Sequence, residues 1–120
     1  MRIWLILAAV YGFFGVAGGA FGAHGVQDPQ AREWLRTGAL YAFVHVLAVF
    51  ASVVLVGLGA DRARLAPALF LPGVLIFTGS LYAMALGAPR WFGAITPIGG
   101  LLFLAGWAVL AWAALQLDQA

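Results

Sequence analysis

The chain has 120 residues, room for one domain, and 65% of them are hydrophobic and 8% charged, against about 45–50% and 25% in a soluble globular protein. A water-soluble domain this small has too high a surface-to-volume ratio to hide so much apolar surface, so the composition specifies a membrane protein. Six arginines (Arg2, Arg32, Arg36, Arg62, Arg64 and Arg90) face four acids and stand apart between apolar runs, which argues against a nucleic-acid stripe, and the absence of cysteine excludes disulfides, iron–sulfur clusters and thiol catalysis.

Four apolar runs follow one another, at about residues 3–23, 38–60, 67–88 and 97–117. Each holds about 20 residues, which at ~1.5 Å per residue spans a hydrocarbon layer of ~30 Å, and no charged residue lies inside any of them. The first has the outline of a secretory signal, with Arg2 ahead of it and small residues at its end. A signal's apolar core is only about 7–15 residues, however, and three more runs follow, so we read it as a retained span. The expected fold is all-α: a single integral membrane domain over residues 1–120, built as a four-helix bundle with short loops.

Signals at the helix ends agree with this division. Asp28 before Pro29 reads as an N-cap with proline in the first turn, so the second helix is expected to start outside the membrane, with an interfacial turn over residues 29–37. Pro72–Gly73 inside the third run predicts a kink there, or a helix that starts later than Pro67. Thr96–Pro97 repeats the Asp28–Pro29 signal at the fourth run. Trp4, Trp34, Trp91 and Trp112 fall near run ends, where indole suits the interface, whereas Trp107 is expected to pack or face lipid. Three arginines fall on each side of the membrane, so the positive-inside rule is tied, and only the terminal amine favours cytoplasmic termini.

At 100° per residue, Ala8, Gly12, Gly15, Gly19 and Gly22 share one narrow face of the first helix, a spacing suited to a left-handed packing seam. Tyr41, His45, Ala48, Ser52 and Gly59 share a face of the second; Gly73, Ser80 and Gly87 sit seven apart in the third, and Gly99, Gly106 and Ala113 in the fourth. Lipid supplies little hydrophobic drive between helices, so close packing and hydrogen bonds are expected to hold the bundle together along these faces.

Polar residues crowd into one half of the membrane. His24, Tyr41, His45, Thr78, Ser80, Tyr82 and Thr96 all lie on the side of the first and third loops, with Ser52 near the middle and little else polar beyond it. Two roles are open for this cluster. It is either interhelical hydrogen-bond glue, at about 0.6 kcal/mol per bond, or a one-sided vestibule around His45 and Ser80 with His45 as the titrating group. Glue is favoured, because neutral histidine is cheaper to bury than lysine or aspartate. His24 can meet His45 only if the first helix unwinds near Gly22, which Gly22 and Gly25 would permit through positive φ. No carboxylate or thiolate inside a span completes a tetrahedral metal site with the histidines, and nothing but their residue type favours a haem. Ser52 and Ser80 lack a base–carboxylate pair, "GVAGGAFG" follows no strand and precedes no Walker lysine, and no buried acid offers a proton relay. No enzyme activity, cofactor or metal is therefore expected.

The segments "GAFGAHG", "YAFVHVLAV", "FTGSLYAMAL" and "ITPIGGLLFLAGW" resemble the family catalogued as domain of unknown function 423, small bacterial inner-membrane proteins to which eukaryotic transmembrane protein 256 is related. The resemblance covers nearly the whole chain. It implies a four-span inner-membrane protein whose signature positions are occupied here by Gly22, His24, Gly25, His45, Gly79, Ser80, Leu81, Tyr82, Thr96, Pro97, Gly99 and Gly100. Ala42 stands where the family has a glutamine, which weakens any mechanism needing an amide beside Tyr41. The family supplies no activity, substrate or cofactor. The expected role is a non-enzymatic accessory or assembly subunit in the lipid bilayer, as a homo-oligomer or within a larger membrane complex, without nucleic acid. The alternative is an oligomeric small channel or transporter.

Overall fold

The computed structural model describes residues 1–118, and its main elements are four helices, α1 (Arg2–His24), α2 (Pro29–Gly57), α3 (Pro67–Ala85) and α4 (Thr96–Ala114). All four are long and apolar enough to cross a membrane when the short 3₁₀ turns before α3 and α4 are counted with them. Consecutive helices pack as hairpins, α1 on α2, α2 on α3 and α3 on α4. α1 touches α3 and α4 touches α2 only lightly, and α1 and α4 do not touch among the described residues. The bundle is therefore a central α2–α3 pair flanked by two outer helices, not a closed ring.

Helix ends follow local chemistry. The Asp28 carboxylate accepts from the Ala31 backbone N–H at 3.0 Å, satisfying one of the free donors of the first turn, and Pro29 occupies a position where its missing N–H costs nothing. α2 then runs unbroken from Pro29, so the expected interfacial turn is simply its first two turns. At the other end, Gly59 adopts φ 105° while its N–H bonds the Val56 carbonyl and the Ala60 N–H bonds the Leu55 carbonyl. Gly87, at φ 111°, repeats this with Met84 and Ala83 as acceptors. These are Schellman caps, which need a residue tolerant of the left-handed region. Gly59 and Gly87 thus terminate α2 and α3, a correction to their expected place in the packing faces.

The two caps open connections of the same construction. Leu58-Gly59-Ala60 leads into a 3₁₀ turn (Asp61–Leu65) and a helix beginning at Pro67. Leu86-Gly87-Ala88 leads into a 3₁₀ turn (Arg90–Ala94) and a helix carrying Pro97 in its first turn. α3 starts at Pro67 and continues through Pro72, so the later start does not occur. Thr96 does not cap α4 as Asp28 caps α2: the N-cap is Ile95, and the Thr96 hydroxyl turns toward the Phe92 carbonyl at 3.4 Å.

The core joins Ala8 of α1, Ala42, Val46, Ala48 and Val49 of α2, Phe70, Leu71 and Val74 of α3, and Phe103 of α4. Along α1, Gly12, Gly15, Gly19 and Gly22 lie against α2. A Cβ on Gly22 would sit 2.8 Å from Leu35 Cβ, one on Gly19 3.2 Å from Ala39 Cβ, and one on Gly15 3.1 Å from Phe43; Gly12 is looser, 3.6 Å from Val46. The seam is specific to α2. At the α3–α4 crossing backbone meets backbone: a Cβ on Gly99 would lie 2.6 Å from the Phe77 nitrogen and 2.7 Å from the Gly73 oxygen. Gly73 and Gly106 leave their space to the rings of Phe103 and Phe70.

Adjacent glycines give the sharpest test of this packing. Gly99→Ala should destabilise the protein by about 1–3 kcal/mol, because the atoms it meets are main chain and cannot rotate away. Gly100→Ala, with nothing within 4 Å of its Cβ, should be neutral or stabilise by up to ~1 kcal/mol. Unfolding in mixed micelles followed by circular dichroism measures both. Equal effects at the two positions would contradict the crossing described here.

Candidate functional site

His45 lies midway along α2 and is 4% exposed. Its Nδ1 is 2.7 Å from the Tyr41 carbonyl oxygen, one turn back, and its Nε2 is 3.0 Å from the Trp107 indole nitrogen on α4. A carbonyl can only accept and an indole N–H can only donate, so the network fixes one tautomer: Nδ1 carries the proton and Nε2 is bare. Both nitrogens are then engaged. The ring is stacked on Phe103 with centroids 3.6 Å apart, and Phe70 lies 5.5 Å away on the α3 side. The result is a neutral imidazole bonded at both edges and set in an aromatic box.

The other expected polar residues are distributed among separate helix contacts. Thr78 Oγ1 donates to the Gly38 carbonyl at 2.8 Å, tying α3 to α2. Ser80 Oγ donates to the Phe77 carbonyl at 3.0 Å and meets Thr96 Oγ1 at 2.5 Å, tying α3 to the start of α4. Tyr82 donates its hydroxyl proton to the Gly15 carbonyl at 3.1 Å, tying α3 to α1. Its ring fills the space left by Gly18 of α1 and Gly38 of α2, where added Cβ atoms would collide with it. Ser52 bonds its own helix at Ala48, 2.7 Å away. No buried side-chain nitrogen or oxygen among the described residues lacks a partner.

Two residues of the expected cluster play different parts. His24 sits exposed in the last turn of α1, which stays helical to that point, and Gly25 has φ −108°, so the unwinding that would bring His24 to His45 does not happen. Tyr41 contributes its main-chain carbonyl and a half-exposed ring, 4.7 Å from Phe77, rather than a hydroxyl bond between helices. Among the described residues no group of three His, Asp or Glu side chains could hold a metal ion.

Sequence reasoning overlooked Trp107 as a polar partner. The usable signal was its depth: an indole N–H within a span needs an acceptor, and His45 is one of few side chains there with a free lone pair. Gly18 was overlooked because it lies about 100° round α1 from Gly19, on the side turned to α3 and off the α2 seam.

Cavities occur between the outer helices and the central pair. A cleft of about 530 Å³ between α2 and α4 is bordered by Tyr41, His45, Gly100, Phe103 and Trp107. A smaller one of about 260 Å³, with Gly79 and Tyr82 in its wall, lies between α1 and α3. Neither reaches Ser80, which is 6% exposed and covered by Thr96. His45 and Ser80 therefore do not share these spaces.

The family model described as "Protein of unknown function (DUF423)" matches residues 18–100. A UPF0382 membrane protein of Haemophilus influenzae is 47% identical over 113 residues, covering 91% of this chain and 90% of its own length. A UPF0382 membrane protein of Staphylococcus epidermidis is 37% identical over 119 residues, covering 97% and 98%. The UPF0382 inner membrane protein YgdD of Escherichia coli K12 is 38% identical over 127 aligned positions, covering 98% and 93%. No solved structure matches.

The tautomer is directly measurable. In ¹⁵N-labelled protein at neutral pH, His45 should show a protonated Nδ1 and an unprotonated, hydrogen-bonded Nε2; a proton on Nε2 would refute the assignment. In a double-mutant cycle, Trp107→Phe and His45→Leu should couple by about 0.5–2 kcal/mol, since each alone removes the same bond.

Proposed function

We propose, for a chain that belongs to the DUF423 family, that it is a non-enzymatic accessory or assembly subunit of the bacterial inner membrane, working through helix contacts with another membrane protein. The chain is a multi-pass membrane protein, and its buried polar side chains are engaged within the chain, by main-chain carbonyls or by each other. What it offers outward is helix surface.

The observation that carries the proposal is a pair of glycines without an internal purpose. Gly79 on α3 and Gly100 on α4, just past its first turn, lie inside their helices, and nothing lies within 4 Å of a Cβ built on either. Glycine in a helix interior costs about 1 kcal/mol relative to alanine, and here no turn, cap or crossing within the chain requires it. Each opens onto one of the two clefts, Gly79 beside α1 and Gly100 beside α2. Bare backbone facing outward lets a helix of another chain approach closely. The outer helices support the same conclusion, since the buried residues of α1 are Ala8, Gly15 and Gly22, while Phe13 and Phe14 are 70% and 61% exposed. A channel or transporter with His45 and Ser80 at its wall has less support, because the bonds that engage both groups would have to break first.

Gentle extraction from native membranes, followed by mass measurement of the intact complex, tests the proposal. A different membrane protein at fixed stoichiometry is expected, and Gly79→Leu together with Gly100→Leu should release it while leaving helicity and unfolding unchanged. A homogeneous monomer would overturn it. A homo-oligomer whose liposome flux depends on His45 would establish the transport alternative.

A further inference from the structure

A third groove, of about 690 Å³, differs from the other two in charge. It is lined from α1 and α2 alone: Gly19, Gly22 and Ala23 on one side, and Pro29, Arg32, Glu33, Arg36, Ala39, Leu40 and Phe43 on the other. Its size lies within the ~300–1,000 Å³ range of small-molecule sites. Arg32 and Arg36 are one turn apart on α2, so they project from one face, and both are exposed. Neither pairs with a carboxylate; among the described residues the one ion pair is Arg64–Asp61, at the opposite end of the bundle. Glu33, at the same rim, accepts from Thr37 at 3.4 Å. Arg32 Nη2 reaches the Ala23 carbonyl at 3.4 Å, which holds the guanidinium across the mouth of the groove.

From this rim the walls turn apolar within two turns. Arg36 and Phe43 are seven residues apart, about 10 Å along the helix, with Leu40 between them and Ala23 opposite, beside the seam where Leu35 and Ala39 close on Gly22 and Gly19. Two guanidiniums line the groove against the one carboxylate of Glu33, and this end of the bundle, with the capping Asp28 and with Arg90 over Trp34, carries three arginines against two acids, an excess positive charge at the headgroup level above an apolar channel open to lipid. We propose that this groove holds an anionic phospholipid, its phosphodiester between Arg32 and Arg36 and an acyl chain along Ala23, Leu40 and Phe43 at the edge of the α1–α2 seam. Guanidinium suits the role, since its fork meets phosphate oxygens with two parallel bonds and remains charged at all relevant pH. Basic pockets between transmembrane helices recognise anionic headgroups by the same physics. The excess charge favours phosphatidylglycerol over a zwitterionic lipid, whose ammonium would meet Glu33 and the capping Asp28 but add nothing to the two guanidiniums.

The test uses the full-length protein in detergent with equimolar phosphatidylglycerol and phosphatidylethanolamine, and counts lipids retained in native mass spectrometry. The wild type should retain phosphatidylglycerol preferentially, and Arg32→Gln with Arg36→Gln should lower the preference about tenfold. Arg64→Gln, at the other end, should leave it unchanged. Equal retention of the two lipids by the wild type, or an unchanged preference in the double variant, would overturn the proposal. So would displacement by an equal concentration of inorganic phosphate, since the site would then recognise a free anion. Photo-crosslinking on the wild type covers the case of a double variant that does not fold. A phosphatidylglycerol carrying a diazirine on its acyl chain should label residues 19–23 and 39–43, and even labelling of α3 and α4 would refute the groove.

Discussion

Hydrocarbon offers no partner to a polar group, and this constraint shapes the rest of the molecule. Each polar side chain buried within the spans is matched by an atom of the same chain, and most of the matches cross a helix boundary. His45 joins α2 to α4, Thr78 joins α3 to α2, Ser80 joins α3 to α4 through Thr96, and Tyr82 joins α3 to α1. The acceptors are often main-chain carbonyls. A carbonyl already bonded in a helix keeps a second lone pair, so it can take an incoming hydroxyl without giving up its own helical bond.

The α1–α2 contact works differently. Within the membrane it has no side-chain hydrogen bond, and its closeness comes from glycines that let Leu35, Ala39 and Phe43 press onto bare backbone. Dispersion is weak per atom pair and grows with the number of pairs in contact, so a missing Cβ along about three turns acts in the same direction as a hydrogen bond elsewhere. The two modes meet at Tyr82, whose ring occupies the gap between Gly18 and Gly38 and whose hydroxyl reaches Gly15. The α2–α3 pair is central because it takes part in both modes, while α1 and α4 each lean on it from outside.

The positions of the helices were legible because length and apolarity are local properties, and Asp28–Pro29 marked the start of α2 for the same reason. Gly59 and Gly87 were misplaced although their signal was also local: the repeated Leu-Gly-Ala before a 3₁₀ turn marks a helix end, and a periodicity argument absorbed both glycines into faces. The glycines of α1 at three- and four-residue spacing share one face, and a face of that kind can be read from spacing when a single neighbour, here α2, lies against it. The faces of α2 and α3 were less legible, because each of these helices meets several neighbours, and a residue such as Ser52 can satisfy itself within its own helix.

By itself the sequence determined the class, the four spans, and the confinement of polar residues to one half of the membrane, since each depends only on what a stretch of chain contains. Tertiary structure decided what those residues do. Whether His45 faces water or Trp107 depends on how α4 is rotated against α2, and no spacing within either helix records that rotation. The same holds for His24, which shares the polar half with His45 but stays outside the core because α1 remains regular to its end. Composition sets which groups need partners; only the packing of helices far apart in the chain decides which partner each one finds.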